Sequence, residues 1–127
     1  MEFSNSYKDL EVWKTCRELR KKVFPITSRF PAEEKYRLVD QLRRAAVSAT
    51  ANVAEGYGRY HYQENIQFCR QARGSLYEIL DHLTTCLDQS YISEGLFDEL
   101  KREILVGIKL TNGYLRMLQK SKVEYQK

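Results

Sequence analysis

The stretch Gln41–Arg59, QLRRAAVSATANVAEGYGR, decides the fold. At about 100° per residue its side chains separate into three stripes. Leu38, Leu42, Ala45, Ala49 and Val53 recur at 4, 3, 4 and 4 residues and make one apolar face, which Ala46 widens. Arg37, Gln41, Arg44, Ser48, Asn52, Glu55 and Arg59 recur at 4, 3, 4, 4, 3 and 4 and make a polar stripe. On the far side lie Val47, Thr50, Ala51 and Ala54, small and largely apolar. A helix with water along one whole side normally carries lysine and glutamate there. This segment therefore reads as a helix that touches something on two sides.

Outward from that helix, three more segments carry the same period. Val12, Cys16, Leu19, Val23, Ile26 and Phe30 form an a/d seam over residues 9–30, broadened by Leu10, Trp13 and Phe24. Ser6 with Asp9 reads as a capping box. Pro25 predicts a kink or a last turn after a break, because proline lacks the backbone donor and crowds the preceding turn. Phe30-Pro31 ends that element, and the central helix is predicted over 32–58, with Gly56 and Gly58 marking its end. A third helix is predicted over 63–90 on Ile66, Cys69, Ala72, Leu76, Leu83 and Leu87; Gly74 in its middle suggests a neighbour that needs the room. Ser93 caps a fourth over 94–121, lined by Leu100, Ile104, Ile108, Thr111, Leu115 and Leu118, after which Lys120–Lys127 should fray. Four amphipathic helices with short connections and no strand-like alternation predict an all-α, antiparallel up-down-up-down four-helix bundle, a single domain over 1–127.

Composition sets the outer bounds. No apolar run approaches the ~18 residues of a spanning helix, and the N-terminus lacks the apolar core of a secretion signal. The expectation is a cytoplasmic protein without a membrane partner. Cys16, Cys69 and Cys86 are odd in number, far apart and on helical seams, which reads as buried thiols rather than a disulfide framework or metal site. Residues 1–60 hold 12 Lys/Arg against 8 Asp/Glu and residues 61–127 hold 9 against 9, so the net +4 lies in the first half. In a ring of identical subunits that excess would be concentrated.

Enzyme chemistry finds no foothold in the pattern. A di-iron bundle wants Glu-x-x-His on two helices, whereas His61 and His82 are the only histidines and Glu78 precedes His82 by four residues. The cysteines have no histidine at matching helical positions, and Gly56-Tyr57-Gly58 lacks the lysine and length of a phosphate loop. No catalytic residue, cofactor or metal is expected. Two non-enzymatic readings stand. Arg43, Arg44, Arg59, Arg70 and Arg73 could meet phosphates, with Tyr60 in the aromatic-basic segment Tyr57–Tyr62 stacking on bases. Alternatively Val47, Ala51 and Ala54, with Asn52 and Glu55 beside them, form a packing stripe for another copy or a protein partner. Glu55 is then expected to pair with Arg44, Arg59 or Arg73.

Five motifs in order add a resemblance: Tyr7-Lys8-Asp9-Leu10-Glu11-Val12-Trp13, Phe30-Pro31-x-x-Glu34-Lys35-Tyr36, Gln41-Leu42-Arg43-Arg44-Ala45-Ala46-Val47-Ser48, Asn52-Val53-Ala54-Glu55-Gly56 and Ala72-Arg73-Gly74-Ser75-Leu76. Together they resemble the bacterial four-helix-bundle family first met as proteins encoded by intervening sequences in 23S ribosomal RNA genes. Pro25 and Ala49-Thr50-Ala51 depart from the usual pattern and bear on helix shape. The resemblance implies a homopentameric ring. More loosely it implies RNA or protein partnering, as in the accessory variability determinant of diversity-generating retroelements, a similar pentameric bundle. It implies no activity.

Overall fold

Apolar side chains repeating every three to four residues need a shared interior, and four helices supply it. The computed structural model describes residues 6–126. Its helices are α1 (Glu11–Thr27), α2 (Leu38–Tyr57), α3 (Tyr62–Asp88) and α4 (Glu94–Gln126). Each packs on its neighbours in the chain, and α4 closes back on α1. The fold is the antiparallel all-α four-helix bundle that the periodicity predicts. Leu42, Val53, Ile79, Leu100 and Ile104 are 0% exposed, so every predicted seam but that of α1 reaches complete burial. On α1, Cys16 and Val23 come within 1% of it. Each fully buried large side chain contributes about 1.5–3 kcal/mol relative to an exposed one.

The helix ends differ from the sequence expectation for local reasons. At the start, Ser6 caps a 3-10 turn over Tyr7–Asp9 by accepting from Lys8 N, and α1 begins two residues later, at Glu11. Helix α1 runs unbroken through Pro25 to Thr27, without the expected break. Pro25 is one turn from the end, where few intrahelical bonds are lost, and Ser28 Oγ donates to the Pro25 carbonyl at 2.6 Å. Helix α2 does not begin at 32. A 3-10 turn over Ala32–Glu34 intervenes, and Arg37 has φ −121° and ψ −101°. The cause is Glu34, which turns inward to 6% exposure; its Oε1 accepts from Arg37 Nε and Nη2 at 2.9 and 2.7 Å, and its Oε2 accepts from Tyr91 Oη at 3.1 Å.

At the other loop, α3 stops at Asp88 rather than 90. Tyr91 N donates to Cys86 O at 2.8 Å and Ser90 N to Leu87 O at 3.0 Å, a Schellman closure with Ser90 at φ 61°. Ser93 Oγ accepts from Leu96 N at 3.1 Å, capping α4 as expected. Helix α4 continues to Gln126, past the predicted fraying point at 121, with Lys122 Nζ donating to Gln63 Oε1 of α3.

Gly56 and Gly58 bracket the end of α2 as expected, the helix stopping at Tyr57 with Gly58 as its C-cap. Gly56 also has a packing role: it is buried, and a Cβ there would meet Asn65 Oδ1 at 2.6 Å and Phe68 Cβ at 2.9 Å, both of α3. Gly74, by contrast, would meet nothing within 4 Å, so no neighbour among the described residues requires its missing side chain.

Candidate functional site

The second face of α2 is divided by α1. Thr50 is buried, donating to Val47 O at 2.9 Å and accepting from Arg20 Nη1 of α1 at 2.9 Å. Ala54 is half-buried, while Ala51 and Val47, the latter 44% exposed, stay open. Phe24 of α1, expected to broaden the core seam, instead lies 38% exposed at the rim of the same groove. Arg43 crosses from α2 onto it: the guanidinium carbon sits 4.9 Å from the Phe24 ring centre, Nε donates to Thr27 Oγ1 at 2.8 Å and Nη2 to Phe24 O at 3.2 Å. A cation on the last carbonyls of α1 is where the helix dipole favours one.

This outer α1–α2 groove is lined by cations. Arg20, Lys21, Phe24 and Val47 line one stretch of it, and Arg43, Arg44, Val47 and Ser48 the next. Arg17 lies one turn before Arg20, its guanidinium carbon 5.8 Å from the Trp13 ring centre. Only Lys21 and Arg44 have carboxylate partners among the described residues, Glu18 at 3.6 Å and Asp40 at 3.6 Å, both exposed pairs of little net strength.

The other proposed phosphate-binding residues lie elsewhere. Arg59 closes the α2–α3 corner, pairing with Glu55 at 3.1 Å and Glu64 at 3.5 Å and covering the Phe68 ring at 5.0 Å. Of the three partners proposed for Glu55, Arg59 is the one it takes, on the surface and not in a buried pair. Tyr60 is 92% exposed and edge-on to His61 at 5.1 Å. Arg70 is exposed on α3, and Arg73 Nη1 donates to Asn112 Oδ1 of α4 at 2.8 Å. The six residues thus occupy three separate places. The polar stripe of α2 runs along α3: Ser75 Oγ donates to Ser48 Oγ at 3.0 Å, and Asn52 Nδ2 donates to Ser48 O and Oγ at 3.0 and 2.9 Å.

The opposite flank of α1, which the sequence reading did not single out, is mixed in charge, with three carboxylates to two cations. Thr15 and Glu18 line a groove with Arg102, Glu103 and Val106 of α4, Val106 being 51% exposed. Lys22 binds Glu99 at 3.3 Å and also Glu103. Glu103 Oε2 accepts no hydrogen bond among the described residues. A signal was present: Glu11, Thr15, Glu18 and Lys22 follow at 4, 3 and 4 residues, while Arg17, Lys21 and Phe24 follow at 4 and 3 on the other side of the same helix.

Buried chemistry is quiet. Burial pushes the thiols of Cys16 and Cys69 up to about 12 and that of Cys86 to about 11, so they stay protonated and unreactive near neutrality. Among the described residues, no group of three or more His, Cys, Asp or Glu is placed to hold a metal, and no helix is long and apolar enough to cross a membrane.

Comparison with known proteins agrees with this architecture. The 23S rRNA-intervening sequence protein family model matches residues 8–113. A crystal structure of a protein of unknown function from the S23 ribosomal protein family, from Bacteroides thetaiotaomicron VPI-5482, superposes with a TM-score of 0.78. At 18% identity it covers 86% of this chain and 98% of its own, a likeness of fold alone. Nothing among curated proteins matches the chain.

Proposed function

We propose, because this chain belongs to the 23S rRNA-intervening sequence protein family, that it acts without catalysis as a self-assembling helical scaffold in the cytoplasm, a homopentamer by resemblance to the family's rings. One observation carries the reading: Val47 and Ala51 stay exposed on the outer α1–α2 face, and with the ring of Phe24, part-covered by Arg43, they form an apolar strip there. Burial of such a strip against a second copy is favourable at ~25 cal/mol per Å² of apolar surface.

Light scattering on a sizing column tests it. The wild type should elute as a multiple of the 15.0 kDa chain, and Ala51→Glu, at an exposed position, should lower the mass while leaving helix content intact. An Ala51→Glu protein that stays fully assembled would exclude this face.

The cations on the same flank favour a second reading, an RNA-binding accessory. Arg20, Lys21, Arg43 and Arg44 would supply phosphate contacts, and removing the Arg43 and Arg44 charges should then weaken RNA binding and flatten its salt dependence.

A further inference from the structure

Helix α1 separates a basic groove from one in which carboxylates outnumber cations, each with an exposed valine beside the charges. On the α2 side Arg20, Lys21, Arg43 and Arg44 stand around Phe24 and Val47, with Arg17 one turn before Arg20. On the α4 side Glu18, Glu99 and Glu103 stand near Val106 together with Arg102 and with Lys22, which is already bound to the two α4 carboxylates. Glu11 extends the acidic side by a turn.

Resting on the self-assembly reading above, we propose that the occupant of the basic α1–α2 groove is a second copy of this chain, presented by its acidic α1–α4 groove. Three arguments support that pairing over any symmetric one. Two copies meeting through the same basic groove would bring like charges together, which opposes association, whereas basic against acidic favours it. Val47 and Val106 are 44% and 51% exposed, so the paired surfaces bring apolar surface to the middle of a charged rim. Finally, a contact between two different faces is head-to-tail, and it closes only if rotation brings the last copy back to the first. In a bundle the α1–α2 and α1–α4 flanks are adjacent sides at roughly a right angle, a relation that suits a ring of about four to six copies. Arg17, Arg20 and Arg43, which have no carboxylate partner among the described residues, would then share the neighbour's Glu18, Glu99 and Glu103 with the Lys21 and Lys22 those carboxylates already hold, in solvent-accessible pairs that are readily exchanged.

Val47→Glu and Val106→Arg test the pairing, since each puts into one groove, at an exposed position, the charge carried by the groove proposed to face it. Masses are read by light scattering and helix content by far-ultraviolet circular dichroism. Each variant alone should fall from the wild-type mass to the 15.0 kDa monomer with unchanged helicity. Mixed in equal amounts, they should form a species of twice 15.0 kDa, because one still offers an intact acidic groove and the other an intact basic one. Should Val106→Arg lose helix content, Glu99→Arg on the same flank replaces it.

A Val106→Arg or Val47→Glu protein that assembles like wild type overturns the pairing. So do two monomeric variants that fail to combine, since the grooves are then not each other's partners. A wild type that is itself monomeric removes the underlying self-assembly reading. If that monomer shifts only with added RNA, the basic groove belongs to nucleic acid.

Discussion

At the scale of single residues, two of the helical glycines, Gly56 and Gly74, make opposite demands. A Cβ at Gly56 would stand 2.9 Å from the Phe68 Cβ, a contact with the root of a side chain that cannot swing away. Gly56→Ala should therefore force α2 and α3 apart and destabilise by about 1–3 kcal/mol. Gly74→Ala meets open space in the middle of α3 and should stabilise by about 0.5–1 kcal/mol, because alanine loses less backbone freedom on folding. Urea unfolding of the two variants at one protein concentration checks both signs. A destabilising Gly74→Ala would mean that a neighbouring copy packs there. The thiols give a second residue-scale expectation. Their folded-state values, about 12 for Cys16 and Cys69 and about 11 for Cys86, lie above the ordinary value near 9. A raised value makes the stability contribution complete below the unfolded thiol's pKa and loses it as pH rises toward the folded one. Stability should thus fall between about pH 9 and pH 12, and a disulfide reagent at pH 8 should label no cysteine until denaturant is added. Rapid labelling in native buffer would contradict the burial of these groups.

At the scale of elements, both ends of the α1–α2 connection depend on Glu34. It ties the turn before α2 to Tyr91 in the α3–α4 connection, and Phe30 rests on the Tyr91 ring at 5.2 Å. The Tyr91 phenol is pushed above its ordinary range, first by burial and then by this hydrogen bond to the carboxylate. Glu34→Ala should destabilise by about 1–3 kcal/mol by leaving the phenol without its acceptor. Tyr91→Phe should cost less. In a double-mutant cycle of thermal or urea unfolding the two should couple by about 0.5 kcal/mol or more, and strictly additive effects would show that the loops are held independently. Glu34 also explains where sequence reading stopped. The helical seams were legible because burial at a period of 3.6 is written in the local order of residues. The start of α2 was not, because an acidic residue at a predicted helix N-terminus reads as a dipole partner until Tyr91, 57 residues away, is seen to donate to it. Gly56 was legible as a helix-end residue, but its packing role was not, because that depends on Phe68 of another helix. In the candidate site, Arg43 and Arg44 were visible as cations of α2, but their union with Arg20 and Lys21 requires the register of α1 against α2, and the acidic groove requires that of α1 against α4.

At the scale of the whole molecule, the net charge of +4 conceals a polarity that matters more than its sum. Cations collect on one side of α1, while carboxylates outnumber cations on the other, so in the proposed ring a copy would present unlike faces to its two neighbours. Salt separates the possible uses of this polarity. Where charges steer and align the contact and the valines supply its desolvated centre, raising ionic strength shortens the Debye length from about 10 Å at 0.1 M to about 3 Å at 1 M and weakens the rim while leaving the apolar part intact. Assembly should therefore loosen by about one order of magnitude or a few in dissociation constant between these salts, mostly through slower association, without unfolding the bundle. RNA held by the basic groove alone would respond more steeply, since each neutralised phosphate releases counterions. An assembly that tightens in high salt would instead be apolar in origin, and the opposite charging of the two flanks of α1 would then have no part in holding copies together. Sedimentation velocity at the two salt concentrations, on wild type and on Val47→Glu, distinguishes these cases, because only the charge-aligned contact is sensitive both to the salt and to the substitution.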